Sequence, residues 1–338
     1  MKELSFTDID VIDENHAWAV ARPQSDYSHP MALARWDGVS WRVQPVREWL
    51  QESHGVPVRI EAVAPDKVWV SSIGSIRQWN GTSLEAVDIP ARQGESPDTI
   101  NRNYWDVEAW NPDDVWVLVR QSGVGGANAF AVRHVGGGWC WTEMPGFAPN
   151  KVPTRLGVIA ANEVWAVGTV YSGADGRPLE PLMAQWTGGQ TWRRVQPPQL
   201  TPAAELLAVG GTPGDVWVVG AADDHPFAIR WNGVEWSVVD VPRLRGHLSA
   251  VASDGHGGVW VVGQKLPPRQ FSGGTAYLLH RGKDSTAWTT VPNPAGSSNE
   301  FNDIANIPGT SDMWAVGGKL KDEYLKESGL AIRYHAPK

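Results

Sequence analysis

The sequence has 338 residues, of which 42% are hydrophobic and 20% charged, with a formal net charge of -8. This balance indicates a globular chain with a core, and it excludes the broad basic surface that collects nucleic-acid phosphates. A single cysteine, Cys140, excludes a disulfide framework and a thiolate-rich metal cluster.

Four strand-like segments follow one another in the first 46 residues. An alternating stretch, FTDIDVI (6–12), precedes the apolar segment HAWAVA around Trp18, a third segment ends in RWDG (35–38), and a fourth begins at Trp41. Asp-Gly between two β-rich segments favours a hairpin, because both residues accept positive φ. The pattern predicts four antiparallel strands joined by hairpins.

This unit recurs along the chain. Its tryptophan-centred segment is found seven times, with spacings of 51, 47, 49, 52, 43 and 54 residues, at Trp18, Trp69, Trp116, Trp165, Trp217, Trp260 and Trp314. A period of 40 to 50 residues is typical of a four-stranded propeller blade. We therefore predict an all-β fold, a seven-bladed β-propeller in one domain, 1–338. The expected blades are about 5–46, 57–90, 103–146, 154–198, 204–242, 246–294 and 301–338.

The seventh unit differs from the others, because no fourth strand follows its third. We expect this blade either to be incomplete or to be completed by an N-terminal edge strand. An exposed strand edge is a candidate for pairing with another chain.

Most of the 20 tryptophans occupy repeat positions, and we expect them to pack blade against blade. His134, His280 and Tyr334 stand where other units end their third strand in tryptophan. Cys140 alternates with two tryptophans, which predicts a buried, inert thiol.

The segments EVWAVG (163–168) and TGGQTW (187–192) resemble the tryptophan-rich bacterial seven-bladed propellers related to the Asp-box (BNR) repeat. The resemblance implies the propeller fold along the whole chain. The full S-x-D-x-G-x-T-W box and a Phe-Arg-Ile-Pro segment are absent, which disfavours a sialidase.

The predicted binding site lies on the face where the connections vary in length and chemistry, around the mouth of the channel. Polar positions of the first strands are expected to line the channel: Asp8, Arg59, Asp106, Arg155, Glu205 and Asp303. The predicted ligand-binding residues are Tyr27, Trp49, Arg59, Arg102, Tyr104, Trp105, Arg155, Tyr171, Asp175, Arg177, Asp223, Arg269 and Tyr324.

Two histidines beside carboxylates are the candidate catalytic groups, since a carboxylate can orient an imidazole as a general base. They are His29 with Asp26, and His225 with Asp224. No metal-ligand spacing is present, and we expect neither a metal nor a cofactor.

Two functions follow from this pattern. The first is a binding protein that holds a peptide, a partner protein or a small aromatic or glycan ligand on the loop-rich face. The alternative is an enzyme, an epimerase, cyclase or hydrolase, acting on a small molecule or modified peptide. In either case we expect a cytoplasmic monomer or weak dimer without nucleic-acid or membrane partners, since no leader or apolar span is found.

Overall fold

In the computed structural model the described residues are 4–23, 32–44, 59–72, 74–95, 101–123, 126–145, 147, 151–172, 177–198, 200, 204–266, 274–296, 299–320 and 326–335. They form 27 β-strands. None of these residues belongs to a helix with the length and apolar character that a membrane span requires.

Five sheets contain four antiparallel strands each, in chain order. The first comprises β1 (Leu4–Asp13), β2 (His16–Pro23), β3 (Ala32–Trp36) and β4 (Trp41–Gln44). The second comprises β5 (Arg59–Ala64), β6 (Lys67–Ser72), β7 (Ser75–Trp79) and β8 (Leu84–Ala86). The third comprises β9 (Asn101–Asn111), β10 (Asp114–Gly123), β11 (Gly126–Val135) and β12 (Gly138–Glu143). The fourth comprises β13 (Arg155–Ala160), β14 (Glu163–Tyr171), β15 (Pro178–Trp186) and β16 (Arg193–Arg194). The fifth comprises β17 (Ala204–Thr212), β18 (Asp215–Ala222), β19 (His225–Trp231) and β20 (Trp236–Val239).

The other seven strands share one sheet: β21 (Gly246–Ser253), β22 (Val259–Lys265), β23 (Thr275–Arg281), β24 (Thr289–Val291), β25 (Asn299–Asn306), β26 (Met313–Leu320) and β27 (Lys326–Tyr334). The all-β propeller with four-stranded antiparallel blades is thus confirmed. Only five blades stand as separate sheets, however, so the predicted count of seven is not confirmed. In the described part of the chain β27 has no fourth strand beside it, and β1 pairs with β2 alone.

The first strand of each repeat unit, which we call the inner strand, faces a common central cavity. The inner strands are β1, β5, β9, β13, β17, β21 and β25. All seven contain a bulge or register shift: five have one at Thr7, Trp105, Leu207, Ser249 and Asn302, and β5 and β13 have theirs at Val63 and Ile159. A bulge bends the strand and redirects the following side chain. In β1, β9 and β25 that side chain is an aspartate.

Tryptophan rings pack between neighbouring units, as the repeat predicts. The ring centroids of Trp18 and Trp79 lie 5.6 Å apart, and those of Trp116 and Trp186 lie 4.7 Å apart. At the junction of the last and first units, which we call the seam, Trp314 lies 5.1 Å from Trp36. The last two pairs are edge-to-face, a geometry that stabilises aromatic pairs beyond their buried area.

The prediction for His280 is wrong. His280 stacks on Trp260 of its own sheet, with 4.8 Å between centroids, instead of packing on the previous unit. The pairing of Val259 with Arg281 brings Arg281 to the end of the third strand, and its guanidinium lies over Trp217. A cation thus replaces the expected aromatic ring at this interface.

The prediction for Cys140 is also wrong, because its side chain is exposed. Trp139 and Trp141 point to one face of β12 and pack on the rings of Trp69 and Phe130. Cys140 points to the opposite face of this outer strand.

Candidate functional site

The central cavity, which we call the chamber, is the candidate site. It encloses about 200 Å³ between the seven inner strands. Six carboxyl side chains and two guanidinium groups face it: Asp8, Asp10, Glu61, Asp106, Glu108, Asp303, Arg59 and Arg155. Acidic groups therefore outnumber basic ones three to one.

Aspartates in the chamber join neighbouring inner strands. The Oδ2 atom of Asp8 accepts a hydrogen bond of 2.7 Å from the backbone N–H of Ile60, and Asp106 binds Leu156 in the same way at 2.7 Å. At the seam, Asp303 accepts a bond of 3.0 Å from Ile9. The same side chains thus position the strands and line the chamber.

The two arginines of the chamber are held by local acceptors. Arg59 donates from an Nη atom to the Asp8 carboxylate at 3.2 Å and to the Thr7 carbonyl at 3.3 Å. The Nε atom of Arg155 donates to the carbonyl of Leu207 at 3.2 Å. Arg59 is 8% exposed, and its own Nε atom has no partner.

Burial raises the pKa of every chamber carboxyl, because the protein replaces water that would solvate the charge. The pKa of Asp10 rises to about 6 and that of Asp106 to about 7. Hydrogen bonds from Ala62 and Val11 oppose the shift at Asp10, and the charge of Arg59 opposes it at Asp106.

Three other carboxyls have a pKa well above the ordinary value. Burial is the main cause for Glu61, Glu108 and Asp303, and nearby carboxylates add to it. Asp303 hydrogen bonds to Asp8, whose pKa burial also raises. This hydrogen bond adds to the rise in the pKa of Asp303 and opposes the rise at Asp8, as expected when a protonated carboxyl donates to a carboxylate.

Glu61 and Glu108 differ in what surrounds their carboxyls. The causes of the raised pKa of Glu108 are burial and nearby carboxylates, whereas the carboxyl of Glu61 also accepts a hydrogen bond from the backbone of Ala109. In the same part of the chain, no three acidic, histidine or cysteine side chains are grouped so that they could hold a metal ion.

The opposite wall of the chamber is built from small residues. A Cβ at Gly157 would lie 3.0 Å from the carbonyl oxygen of Val209, and one at Gly210 would lie 2.8 Å from that of Val251. Glycine is required at both positions because successive inner strands approach each other closely. The carboxyls therefore lie on one side of the chamber, and the other side carries none of them.

Five of the six side chains expected in the channel line the chamber, and Glu205 does not. Glu205 accepts a hydrogen bond of 3.4 Å from the Tyr171 hydroxyl at the ends of β14 and β17. Burial, the hydrogen bond from Tyr171 and the charge of Asp224 affect its pKa, which is raised overall. These three residues thus meet on one face of the fourth and fifth units.

His225 and Asp224 lie side by side but do not form the expected hydrogen-bonded pair. The Nδ1 atom of His225 donates to the Asp223 carbonyl at 2.7 Å, and the Asp224 carboxylate pairs with Arg245 at 3.2 Å. Asp223 and Asp224 have φ values of 51° and 62°. They form the two-residue turn between β18 and β19. Their functional role stays a prediction.

The remaining described candidates differ in accessibility. Tyr104 is 8% exposed and lies in the core rather than on the predicted surface, because it packs with Ile89 and Val107. Arg102 pairs with Glu95 and lies over the ring of Trp141, and Trp105 packs against a core cluster. Arg177 is exposed.

Seven predicted site residues lie outside the described residues: Asp26, Tyr27, His29, Trp49, Asp175, Arg269 and Tyr324. The roles assigned to them stay predictions.

Sequence reasoning missed Asp10, Glu61 and Glu108. Each stands two positions after a predicted channel residue, in DID (8–10), RIE (59–61) and DVE (106–108). Residues i and i+2 of a strand face the same side. This alternation was the signal that identifies them.

Solved structures with a similar fold span nearly the whole chain. YCF48 from Cyanidioschyzon merolae is 14% identical, with a TM-score of 0.60 over 99% of this chain and 96% of its own. A YCF48 bound to D1 peptide is 15% identical, with a TM-score of 0.57 over 99% and 93%. An ulvan lyase of polysaccharide lyase family PL25, bound to -[GlcA(1-4)Rha3S]-, is 10% identical, with a TM-score of 0.59 over 96% and 92%.

No protein-family model and no curated protein matches the chain by sequence. At these identities the structural likeness establishes the propeller fold alone. The relation to Asp-box repeats stays a prediction.

Proposed function

We propose that this protein is a binding protein that holds a peptide or small ligand at the channel, with a cationic group of the ligand in the chamber. The observation that carries the proposal is the enclosed cavity with six carboxyls and two arginines. Both arginines already have acceptors, which leaves a surplus of acidic groups for an ammonium or guanidinium.

The raised pKa values of the chamber carboxyls predict how the affinity for the ligand depends on pH. A bound cation favours the ionised carboxyls, so binding releases protons from groups whose pKa is raised. Affinity for the cation should therefore increase with pH as Asp10 and Asp106 ionise, at about 6 and about 7. A peptide ligand is in keeping with the YCF48 structure bound to D1 peptide.

The test compares Nα-acetyl-arginine methyl ester with its uncharged analogue, Nα-acetyl-citrulline methyl ester, by titration calorimetry. We expect saturable binding of the arginine compound, at least about tenfold tighter at about pH 8 than at about pH 5.5. Little binding of the citrulline compound is expected, because it lacks the charge.

Glu108→Gln removes the negative charge of one carboxyl that lines the chamber and should weaken binding about tenfold. Glu235→Gln, at an exposed turn between β19 and β20, is the matched control and should leave binding unchanged. Equal binding of the charged and uncharged compounds would contradict the proposal.

The enzyme is the second candidate, because Asp106, with a pKa of about 7, is suited to proton transfer. Its two carboxylate oxygens accept hydrogen bonds from the backbone N–H groups of Val107 and Leu156. This engagement favours a structural role and hence the binding protein. If Asp106→Asn abolished turnover but kept the affinity for the ligand, the enzyme would become the preferred function.

For the whole ring we propose seven blades. Sheet pairing between β23 and β25 consists of the single parallel pair Thr275–Asn299, whereas the pairings within the sixth and seventh units extend over three to eight residues. Division of the seven-stranded sheet at this pair gives a four-stranded and a three-stranded blade. The seven inner strands around one chamber support this count.

A further inference from the structure

In the described part of the chain, the third strand of the seventh repeat unit (β25 to β27) has no strand along its outer edge. Among the described residues β27 pairs only with β26, whereas every other unit has a fourth strand beside its third. The effect is visible at one position of the third strand. This position pairs with the second-strand residue that stands two positions after the repeat tryptophan. In six units the third-strand residue is at most 1% exposed: Leu33, Ile76, Ala131, Met183, Ala228 and Leu278. Its counterpart Ala331 is partly exposed.

The six fourth strands share a sequence pattern. A large apolar residue stands at the start of each one or directly next to it, at Trp41, Leu84, Trp139, Trp192, Trp236 and Trp288. Three positions later the residue is β-branched in five of the six units, at Val87, Thr142, Val195, Val239 and Val291, and is Gln44 in the first. β-Branched residues fit a pleated, half-buried strand.

The two pattern residues pack on opposite sides of their unit. Trp236 lies 5.1 Å from Trp165 of the preceding unit, between ring centroids. Val239 packs against the core shared with the following unit, which contains Leu248 and Val261. The fourth strand therefore bridges the cores on both sides of its sheet.

The edge of β27 presents the surfaces that such a strand covers. Leu330 and Ile332 lie partly buried against the core of the sixth unit, which contains Trp260. Ala331 lies partly buried against the core of the first unit, which contains Trp314 and Ala34. The outer edge of β27, which pairs with no other described strand, therefore lies at the interfaces of the seventh unit with the sixth and with the first.

We propose that β27 binds, by strand addition, an extended segment of another protein that carries a tryptophan and a β-branched residue three positions later. The segment runs antiparallel to β27, with its tryptophan opposite Tyr334 and its β-branched residue opposite Ala331. This register is that of β19 and β20, in which Trp231 pairs with Trp236 and Ala228 with Val239. Main-chain hydrogen bonds supply affinity, and the two side chains supply specificity.

The chain itself provides the probe, a synthetic peptide of residues 233–241, GVEWSVVDV. Labelled at its N-terminus, this peptide is titrated with the 338-residue protein and followed by fluorescence anisotropy. The control peptide carries Trp236→Ala and Val239→Ala. We expect saturable binding of the first peptide and at least tenfold weaker binding of the second. In hydrogen exchange, the peptide should slow at least tenfold those amides of 328–334 that point away from β26, and leave those of β20 unchanged.

Three outcomes overturn the proposal. One is equal binding of the two peptides, and another is protection that falls elsewhere than on β27. The third is full protection of 328–334 before any peptide is added, which means that the edge is already covered. Sedimentation then distinguishes a second copy of the chain, which gives a dimer, from a terminal segment of the same chain.

Discussion

Individual carboxylates have two roles in this protein. They accept hydrogen bonds from the backbone of neighbouring strands, and they line the chamber. Asp106 is 2% exposed, and each of its oxygens accepts a backbone N–H, one in its own strand and one in the next unit. Burial without full charge compensation raises its pKa from 3.8 to about 7. Protonation of this group is therefore linked to the stability of the fold.

Asp106 should make the protein less stable as pH rises. The folded state holds the proton up to about pH 7, whereas the unfolded chain releases it near 3.8, so the stabilising contribution is complete below about pH 4 and is lost through pH 7. In Asp106→Asn, the fall in unfolding free energy between about pH 4 and about pH 8 should be smaller. The difference is on the order of 4 kcal/mol, since one pKa unit corresponds to about 1.4 kcal/mol. Urea denaturation at several pH values measures it.

Asp240→Asn is the control, because this side chain is exposed at the end of β20. Its pH profile should follow that of the unchanged protein. If the pH profile of Asp106→Asn were as steep as that of the unchanged protein, Asp106 would be ionised at low pH in the folded protein.

At the scale of the strand, bulges and glycines determine how closely the inner strands approach. Bulges precede Asp8, Asp106 and Asp303 and turn these side chains toward the next inner strand. In the fourth and fifth units the same closeness is reached by Gly157 and Gly210, which leave no space for a side chain. Aspartate hydrogen bonds join the inner strands in one half of the chamber. In the other half, the backbones approach each other directly at glycine.

Gly210→Ala should destabilise the protein by about 1–3 kcal/mol, because the new methyl group overlaps the carbonyl of Val251 at 2.8 Å. Gly282→Ala is the matched control, since no atom lies within 4 Å of its added Cβ. Thermal unfolding of the two variants compares them directly. A melting temperature of Gly210→Ala equal to that of the control would mean that the strands can separate at no cost.

For the whole molecule, the seam between the seventh and first units holds the ring together. Trp314 contacts Trp36 and Trp41, with centroid distances of 5.1 and 5.7 Å, and Arg333 pairs with Glu14 at 2.8 Å. These contacts join residues about 300 positions apart in the chain. Unfolding at the seam should therefore affect all units.

Trp314→Ala should lower the unfolding free energy by about 3–5 kcal/mol, because it leaves a cavity between two units at the seam. Trp110→Ala, which removes a ring that is 46% exposed, should cost much less. Chemical denaturation followed by far-ultraviolet circular dichroism provides the measurement. Equal losses in the two variants would argue against a structural role for the seam.

The propeller fold was predictable because its signals are local and repeated. The tryptophan spacing, the Asp-Gly and Asn-Gly turns and the alternating segments each depend on a few neighbouring residues. The chamber was predictable in part, since Asp8, Asp106 and Asp303 were recognised at equivalent places in their units. Glu205 was misassigned, because its position relative to the chamber depends on the bulge at Leu207.

The sequence by itself determined the strand composition, the four-stranded unit and the tryptophan interfaces, because hydrophobic periodicity and turn chemistry act within about fifty residues. Only the tertiary structure decided that carboxyls from separate units share one chamber, that Cys140 is exposed and that no other described strand lies beside the outer edge of β27. These features depend on contacts between residues far apart in the chain. The pKa of a chamber carboxyl in particular is set by charges and burial contributed by other units, which no local pattern contains.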